Sequence, residues 1–322
     1  MQQLDTNSAA QTTQSAEVVD LGIVIVNYNV EALLKRCLQT VFAAIGNLSV
    51  AVCVVDNDST DGSVAMVRSA FPQVTLIANR NNPGYAAANN QGWENLVDRA
   101  ISSPRYCLLL NPDTELEVDT LAKSIAFMDA NPDVGVMGPK LLLPSGDLDV
   151  ACRRSFPTPE VSFYRFTGLS KLFPKSKRFG RYNLTYLDID QQADVDSVVG
   201  AYMLIRADAL QQTGLLDTRY WMYGEDLDLA KRIKDSGWRI VYNPNVVAWH
   251  VKRASSRQNS RANPEFYRAM LIFYYKHYRH ETPFPLHMII VLGIGVKGGR
   301  AVWPDVRAGD QILLREANIP HE

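Results

Sequence analysis

Five short runs, dense in apolar and β-branched residues and separated by amphipathic segments, leave this chain few ways to fold. The runs are Leu21–Asn27 (LGIVIVN), Val50–Asp56, Val74–Ala78, Tyr106–Leu110 and Val134–Leu143. Between the first two, Val30–Ala44 places Leu33, Leu34, Cys37, Leu38 and Val41 at helical spacing. Asp61–Phe71, Tyr85–Val97 and Asp119–Asp129 read as the next helices. Strands that are apolar along their whole length need cover on both faces, and a helix after each strand supplies it. The expected fold class is α/β, with a Rossmann-like, mainly parallel central sheet flanked by helices.

The second half changes style. Residues 151–193 are basic and aromatic with little periodicity, and read as a long, partly mobile connection. Ser197–Ile205 reads as a strand, with a short helix after it to Thr213. Asp226–Ser236 is a helix closed by Gly237, Arg239–Trp249 another strand, and Asn263–Tyr278 an aromatic helix. No internal repeat is visible. The expected division is a loose tail over 1–19, an α/β core over 20–255 and a helical C-terminal extension over 256–322. The core divides into 20–143 and 144–255, the second part carrying a basic loop at 153–193.

Composition narrows the class. Hydrophobic residues make up 47% and charged residues 21% of the 322, values that argue against a disordered or disulfide-scaffold chain. Cys37, Cys53, Cys107 and Cys152 form no C-x-x-C pair, and two of them sit inside apolar runs, so buried free thiols in a reducing, cytoplasmic setting are expected. Residues 1–19 have no apolar centre and do not read as a signal peptide. The most apolar segment, Leu286–Val296, contains His287, Gly293 and Gly295 and is too short to span a bilayer.

In open α/β sheets, ligands bind beyond the carboxyl ends of the strands. Here the first four strands run into Asn27-Tyr28-Asn29, Asp56-Asn57-Asp58-Ser59, Asn79-Arg80-Asn81-Asn82 and Asn111-Pro112-Asp113. One such cluster is ordinary turn chemistry; four on one edge point to a site. The first turn lacks the glycines of G-x-G-x-x-G. That pattern occurs only at 293–298, with no room for a following βαβ unit. There is no G-x-x-x-x-G-K-[ST], H-E-x-x-H or G-x-S-x-G, so hydride transfer, P-loop hydrolysis, zincin and serine-hydrolase chemistry lose their anchors.

Asp56, at a strand end, can accept a base N–H or cap a turn, Asp61 being the stronger helix-cap candidate. Asp113 can hold a hard cation against a diphosphate or simply close a turn. In Tyr220–Leu229 (YWMYGEDLDL), aromatics build an apolar wall, Gly224 allows a tight turn, and Glu225 and Asp226 open a helix whose dipole favours them. An apolar wall raises a carboxylate pKa and the dipole lowers it. His250, ending a strand, is a candidate metal ligand or a structural histidine.

Seven segments in this order resemble the family 2 glycosyltransferases of GT-A fold: IVIVNYN (23–29), VVDNDSTDGS (54–63), NPGYAAANNQG (82–92), LLLNPDTE (108–115), GAYMLI (200–205), MYGEDLDL (222–229) and AWH (248–250). The match runs from about Gly22 to Ser256, and the N-P-D-T-E and M-Y-G-E-D forms are most like the rhamnosyltransferase-related branch that builds cell-envelope polysaccharides such as O-antigen. The resemblance implies an inverting, metal-dependent hexosyltransferase, with a catalytic domain over 20–255 made of a nucleotide-sugar half (20–143) and an acceptor half (144–255). It implies a nucleotide-sugar lined by Val26, Asn27, Tyr28, Asp56, Asp58, Arg80, Gly84, Tyr85, Asn90, Asn111, Pro112 and Asp113, with Asp56 on the base. It implies Mg2+ or Mn2+ on Asp113 and His250, a catalytic pair of Glu225 and Asp226 with the aspartate as base, and Trp221, Tyr223 and Gly224 on the acceptor side. One departure is that the D-x-D signature stands here as Asn111-Pro112-Asp113, with a single carboxylate. The implied donor is dTDP-rhamnose, with another dTDP- or UDP-sugar (GlcNAc, galactose, galactofuranose) as the alternative. A non-catalytic sugar-nucleotide-binding protein is the reading from another class. The implied acceptor is a polyprenyl-diphosphate-linked saccharide.

The net charge of −1 hides strong patterning. Residues 1–150 carry a net −9, residues 151–182 a net +7, residues 183–251 a net −4 and residues 252–280 a net +6. The basic run holds Arg153, Arg154, Arg165, Lys171, Lys175, Lys177, Arg178 and Arg181 among Phe156, Phe163, Tyr164, Phe166, Phe173 and Phe179. No nucleic-acid motif accompanies it, so nucleic acid is not the expected partner. Together with Phe266–Tyr278 (including Phe273, Tyr274 and Tyr275) and Leu286–Val296, it suits an anionic membrane surface. The expected location is cytoplasmic, peripheral to the inner face of the plasma membrane; a homo-oligomer is also compatible.

Overall fold

A computed structural model describes residues 19–99, 103–251 and 262–314. The tail (apart from residue 19) and the domain boundary at 255/256 lie outside these residues. In chain order the elements are β1 (Leu21–Asn27), α1 (Glu31–Ala44), β2 (Val50–Asp56), α2 (Ser63–Ala70), β3 (Thr75–Ala78), α3 (Tyr85–Arg99), β4 (Tyr106–Leu110), β5 (Thr114–Leu116), α4 (Thr120–Ala130) and β6 (Val134–Leu142). There follow α5 (Pro159–Phe166), α6 (Leu169–Leu172), β7 (Ala193–Asp194), β8 (Tyr202–Arg206), α7 (Ala207–Thr213), α8 (Glu225–Asp235), β9 (Arg239–His250), α9 (Ala262–His277), α10 (Phe284–Gly298) and α11 (Trp303–Ala308).

The strands form one sheet in the order β3-β2-β1-β4-β8-β6-β9-β5, with β7 also on β9. β1 lies inside it, wholly buried, and pairs in parallel with β2 on one side and β4 on the other. That is why its sequence is apolar without alternation: it has no solvent face. The chain leaves β1 towards β2 and later returns to β4, so a crevice opens at the carboxyl ends of these strands.

The rest of the sheet is mixed. β8 is antiparallel to both β4 and β6, and β5 and β7 are antiparallel to β9, while β6 and β9 run parallel. The expected strand over 197–205 begins only at Tyr202, because Ser197 is bridged to Arg154 and the chain turns before the ladder starts.

The connection over 151–193 is more ordered than its lack of periodicity suggests. Thr158 caps α5 by accepting from the Val161 amide, with Pro159 in the first turn. Arg153 is 2% exposed; it donates to the carbonyls of Asp188 and Leu187 at 2.6 and 2.8 Å and lies over the Tyr242 ring. Tyr164 meets Phe179 edge-on. Helices this short leave almost no periodic signal, and the contacts that hold them are remote in sequence.

The hydrophobic core continues from the sheet into the C-terminal helices. Leu271, Ile272, Phe273, Tyr274 and Tyr275 of α9 are at most 5% exposed. Of the aromatic residues expected at a membrane, Phe273, Tyr274 and Tyr275 therefore pack inward, while Phe163, Phe166, Phe173 and Phe266 stay exposed. Each large side chain so buried contributes about 1.5–3 kcal/mol.

Candidate active site

The end of β1 and the end of β2 are in register at Asn27 and Asp56. Asn27 Nδ2 donates to Asp56 Oδ2 at 2.7 Å, and the Ser59 amide donates to Asp56 Oδ1 at 2.9 Å. Asp56 is 1% exposed, and the neighbouring Asn27 Oδ1 is buried without a hydrogen-bond partner. Buried amide oxygens are normally satisfied, so this one marks a place where a ligand donor fits. Asn29 and Asp58 adopt left-handed backbone conformations, and the Asn29 carboxamide accepts from the Thr60 amide. Val26 is buried, Tyr28 half-buried and Asp58 exposed. Asp61 caps two helices at once, accepting from the amides of Ser63 and Glu31.

The third cluster closes the pocket's flank. Asn57 donates to the Gly84 carbonyl and to Asn82 Oδ1, and accepts from Asn79. Gly84 has φ +95, and a Cβ there would run into the Trp221 carbonyl. That close approach is used: the Tyr85 amide donates to Trp221 O at 2.7 Å, and Trp221 Nε1 donates to Asn82 O at 3.2 Å. Two segments 139 residues apart are thereby sewn together. Arg80 is exposed on the rim. Asn90 is not brought to this cluster. Its carboxamide is taken up by both backbone groups of Leu216, at 2.7 and 3.0 Å.

Tyr85 connects the donor side to the acidic pair. Its hydroxyl donates to Asn111 Oδ1 and to the Gly200 carbonyl, both at 3.1 Å. The Gly200 amide in turn donates to Asp226 Oδ2 at 3.1 Å. Burial first, then the charges of Glu225, Asp226 and Asp113, push the Tyr85 phenol far above its ordinary range, so it stays protonated and donating.

Asp226 and Glu225 open α8 behind Gly224, which has φ +83. Tyr223, also left-handed, sets its ring edge-on to Phe266 of α9. Asp226 accepts from Arg154 Nη2 at 2.6 Å and from the Leu227 amide at 2.7 Å. Glu225 differs. Its Oε2 is buried with no hydrogen-bond partner, and burial, joined by the charge of Asp226, pushes this carboxyl up to about 8.

Pro112 and Asp113 are buried at the far end of β4. The β5–β9 ladder pairs Thr114 with His250, which sets Asp113 Oδ1 3.3 Å from His250 Nε2. Behind the ring, Asp149 Oδ2 lies 2.9 Å from Nδ1, its side chain wholly buried. Burial pulls the imidazole down, but the bonds to Asp113 and Asp149 outweigh it and lift His250 to about 9. No set of three His, Cys, Asp or Glu side chains surrounds a metal position among the described residues. The pair nonetheless fits a divalent ion. Asp149 orders the ring so that Nε2 faces Asp113, the carboxylate–histidine arrangement that supports metal ligation, and diphosphate oxygens and water can fill the remaining positions.

Asp149 and Arg154 were not legible as site residues. Arg154 read as one of a run of surface cations, yet it is 8% exposed and paired to Asp226. Neither has a local signal, because each is defined by a partner 101 or 72 residues away.

Residues 20–264 match the family described as Glycosyltransferase like family 2. N-acetylglucosaminyl-diphospho-decaprenol L-rhamnosyltransferase of Mycobacterium tuberculosis is 27% identical over 241 residues, covering 73% of this chain and 77% of the relative. The low-salt glycan biosynthesis hexosyltransferase of Haloferax volcanii is 26% identical, covering 74% of this chain and 69% of the relative. Among solved structures, the mannosyltransferase PcManGT from Pyrobaculum calidifontis with GDP-Man and Mn2+ superposes with a TM-score of 0.55 at 17% identity, over 92% of this chain and 80% of that one. S. aureus TarS 1–349 with UDP-GlcNAc gives 0.52 at 15% identity, over 91% and 70%. At these identities the structural likeness is one of fold, the GT-A glycosyltransferase fold.

Proposed function

The chain belongs to glycosyltransferase-like family 2, and from that premise we propose that it transfers L-rhamnose from dTDP-rhamnose, with inversion, to a polyprenyl-diphosphate-linked saccharide. What supports glycosyl transfer in the structure is the chain of contacts from Asn111 through Tyr85 and Gly200 to Asp226, which links a carboxylate to the end of β4. The rhamnose donor and lipid-linked acceptor are supported by the Mycobacterium relative's name.

In the proposed reaction the acceptor hydroxyl attacks the anomeric carbon, its proton passes to the Asp226 carboxylate, and the anomeric C–O bond breaks to release the nucleoside diphosphate. Asp56 and Asn27 hold the base, and Trp221, Tyr223 and Gly224 border the acceptor. Asp113 and His250 would hold Mg2+ or Mn2+, which when bound supplies charge to offset that of the leaving diphosphate. A screen of dTDP- and UDP-sugars against a polyprenyl-diphosphate-GlcNAc acceptor, read by mass spectrometry, tests the donor. Product is expected with dTDP-rhamnose, disappearing with EDTA and returning with Mn2+. Product with only a UDP-sugar overturns the rhamnose assignment.

We also propose peripheral association with an anionic membrane. No helix among the described residues is long and apolar enough to cross one. However, α10 exposes Phe284 at 67%, Ile289 at 68% and Val296 at 71%, and Lys297 lies over Phe166 of α5. The exposed Lys171, Lys175, Lys177, Arg178 and Arg181 follow in sequence. Arg153 and Arg154 take no part, being buried. The protein is expected to float with phosphatidylglycerol vesicles at low salt and to lose binding in an Ile289→Asp, Val296→Asp variant. Equal recovery without vesicles counts against it.

A further inference from the structure

We propose that Arg154 is a positioning residue that decides which of the two adjacent carboxyl groups, Asp226 or Glu225, is ionised and aimed to take the acceptor's proton. This rests on the reading of Asp226 as base. The guanidinium makes its bond to Asp226 Oδ2 at 2.6 Å in a place almost closed to water, the two residues being 8% and 7% exposed. It is itself aimed by the protein: the same Nη2 donates to the Val198 carbonyl at 2.8 Å and lies 3.4 Å from Ser197 Oγ. The Arg154 amide donates to Ser197 O at 2.8 Å, and the amides of Asp196 and Ser197 donate to Arg154 O. The fork therefore cannot swing to Glu225 without breaking this bridge.

Two carboxyl groups side by side in a buried site do not both ionise readily. Only one of these has a counter-charge in contact. Glu225 Oε2 has no hydrogen-bond partner. The other groups facing the pair do not reverse the bias. Tyr85, from α3, contributes a protonated phenol. Asp228, further along α8, has its own partners in Lys276, His277 and Arg232. Tyr182 is a further partner of the Arg154 guanidinium. A base must be ionised before it can accept a proton, and environments that push two neighbouring carboxyls apart assign their roles. Arg154 does this from a segment that carries no other part of the proposed site.

The test is the pH profile of kcat in purified Arg154→Gln and Arg154→Lys proteins, with folding checked by thermal melting. Removing the buried counter-charge disfavours the ionised form of the catalytic unit, so the acid limb should move up by about one to three pH units. The maximal kcat should fall about 10- to 100-fold as the carboxylate loses its aim. Arg154→Lys keeps a positive charge but not the fork; its limb should move less and its kcat fall less. If the Gln protein does not fold, the Lys protein carries the test. An acid limb at the wild-type position in either folded variant overturns the proposal. Failure of the underlying reading is separable: it shows as full turnover in Asp226→Asn, whatever the Arg154 variants do.

Discussion

Asp226→Asn is expected to reduce transfer by about 10³- to 10⁴-fold while leaving nucleotide-sugar affinity within a few-fold of wild type. The amide matches the carboxylate in shape, and with its oxygen in the Oδ2 position it still accepts from Arg154 and Gly200, giving up only the bond from the Leu227 amide to Oδ1. What it cannot do is take a proton from a hydroxyl. Donor binding is proposed for other residues, and the bonds that Asp56 and Asn27 make at the strand ends do not involve α8. Single-turnover rates beside calorimetric donor affinity separate the two effects. Retained turnover would remove Asp226 from its role and turn attention to Glu225, whose raised carboxyl is the other titratable group beside it. The variant also leaves Arg154 facing a neutral partner in a buried place, which costs stability. A lower melting temperature is therefore expected even where donor binding is intact.

The second large effect concerns stability. Asp228, two residues along the same helix, has a side chain with no solvent exposure, bonded to His277 Nε2 at 2.8 Å, Lys276 Nζ at 2.9 Å and Arg232 Nε at 2.9 Å. Lys276 also donates to Asp217 at 2.7 Å. This cluster ties α9 to the helix that presents the proposed catalytic pair. Removing the central carboxylate leaves the half-buried Lys276 and Arg232 without the counter-charge they share. Asp228→Ala is expected to lose about 3 to 5 kcal/mol, read as a lower urea midpoint at unchanged m. A loss below about 1 kcal/mol would mean that the cluster behaves as a solvated surface network.

The pH dependence follows in sign. Burial opposes ionisation of Asp228, but His277, Lys276 and Arg232 outweigh it and hold the carboxyl below its ordinary range. A carboxyl whose folded pKa is depressed adds stability that is present above its unfolded value and is lost as pH falls through the folded one. Wild-type stability should therefore drop below about pH 4, and this drop should be shallower in the Asp228→Ala protein.

Much of this was legible in advance, for identifiable reasons. The runs at 21–27, 50–56 and 106–110 announce β1, β2 and β4 because a buried parallel strand has no polar face to interrupt the pattern. The polar clusters after them form one rim because parallel strands end on the same edge. The antiparallel half was harder. β5 has three residues and β7 two, too few for periodicity to show. Asn90 shows another limit. It lies in the same motif as Gly84, but successive residues on a helix point about 100° apart. Asn90 of α3 is turned to the loop at Leu216, while Tyr85 at the helix start meets Asn111 and Gly200.

The amino-acid sequence by itself determined the sheet-forming runs, the edge on which the polar clusters gather and the family to which the motifs are similar. These are properties of single segments, where burial preference is written into local spacing. The tertiary structure alone decided that Arg154 lies inside and not on a basic surface, that Asp149 stands behind His250, and that Phe273, Tyr274 and Tyr275 pack into the core. It also decided that only one of two adjacent carboxyl groups has a cation in contact. The reason is that electrostatic character depends on who the neighbours are and how much water remains between them. Those neighbours are chosen by the path of the chain across 72 to 101 residues, a distance over which local sequence patterns carry no signal.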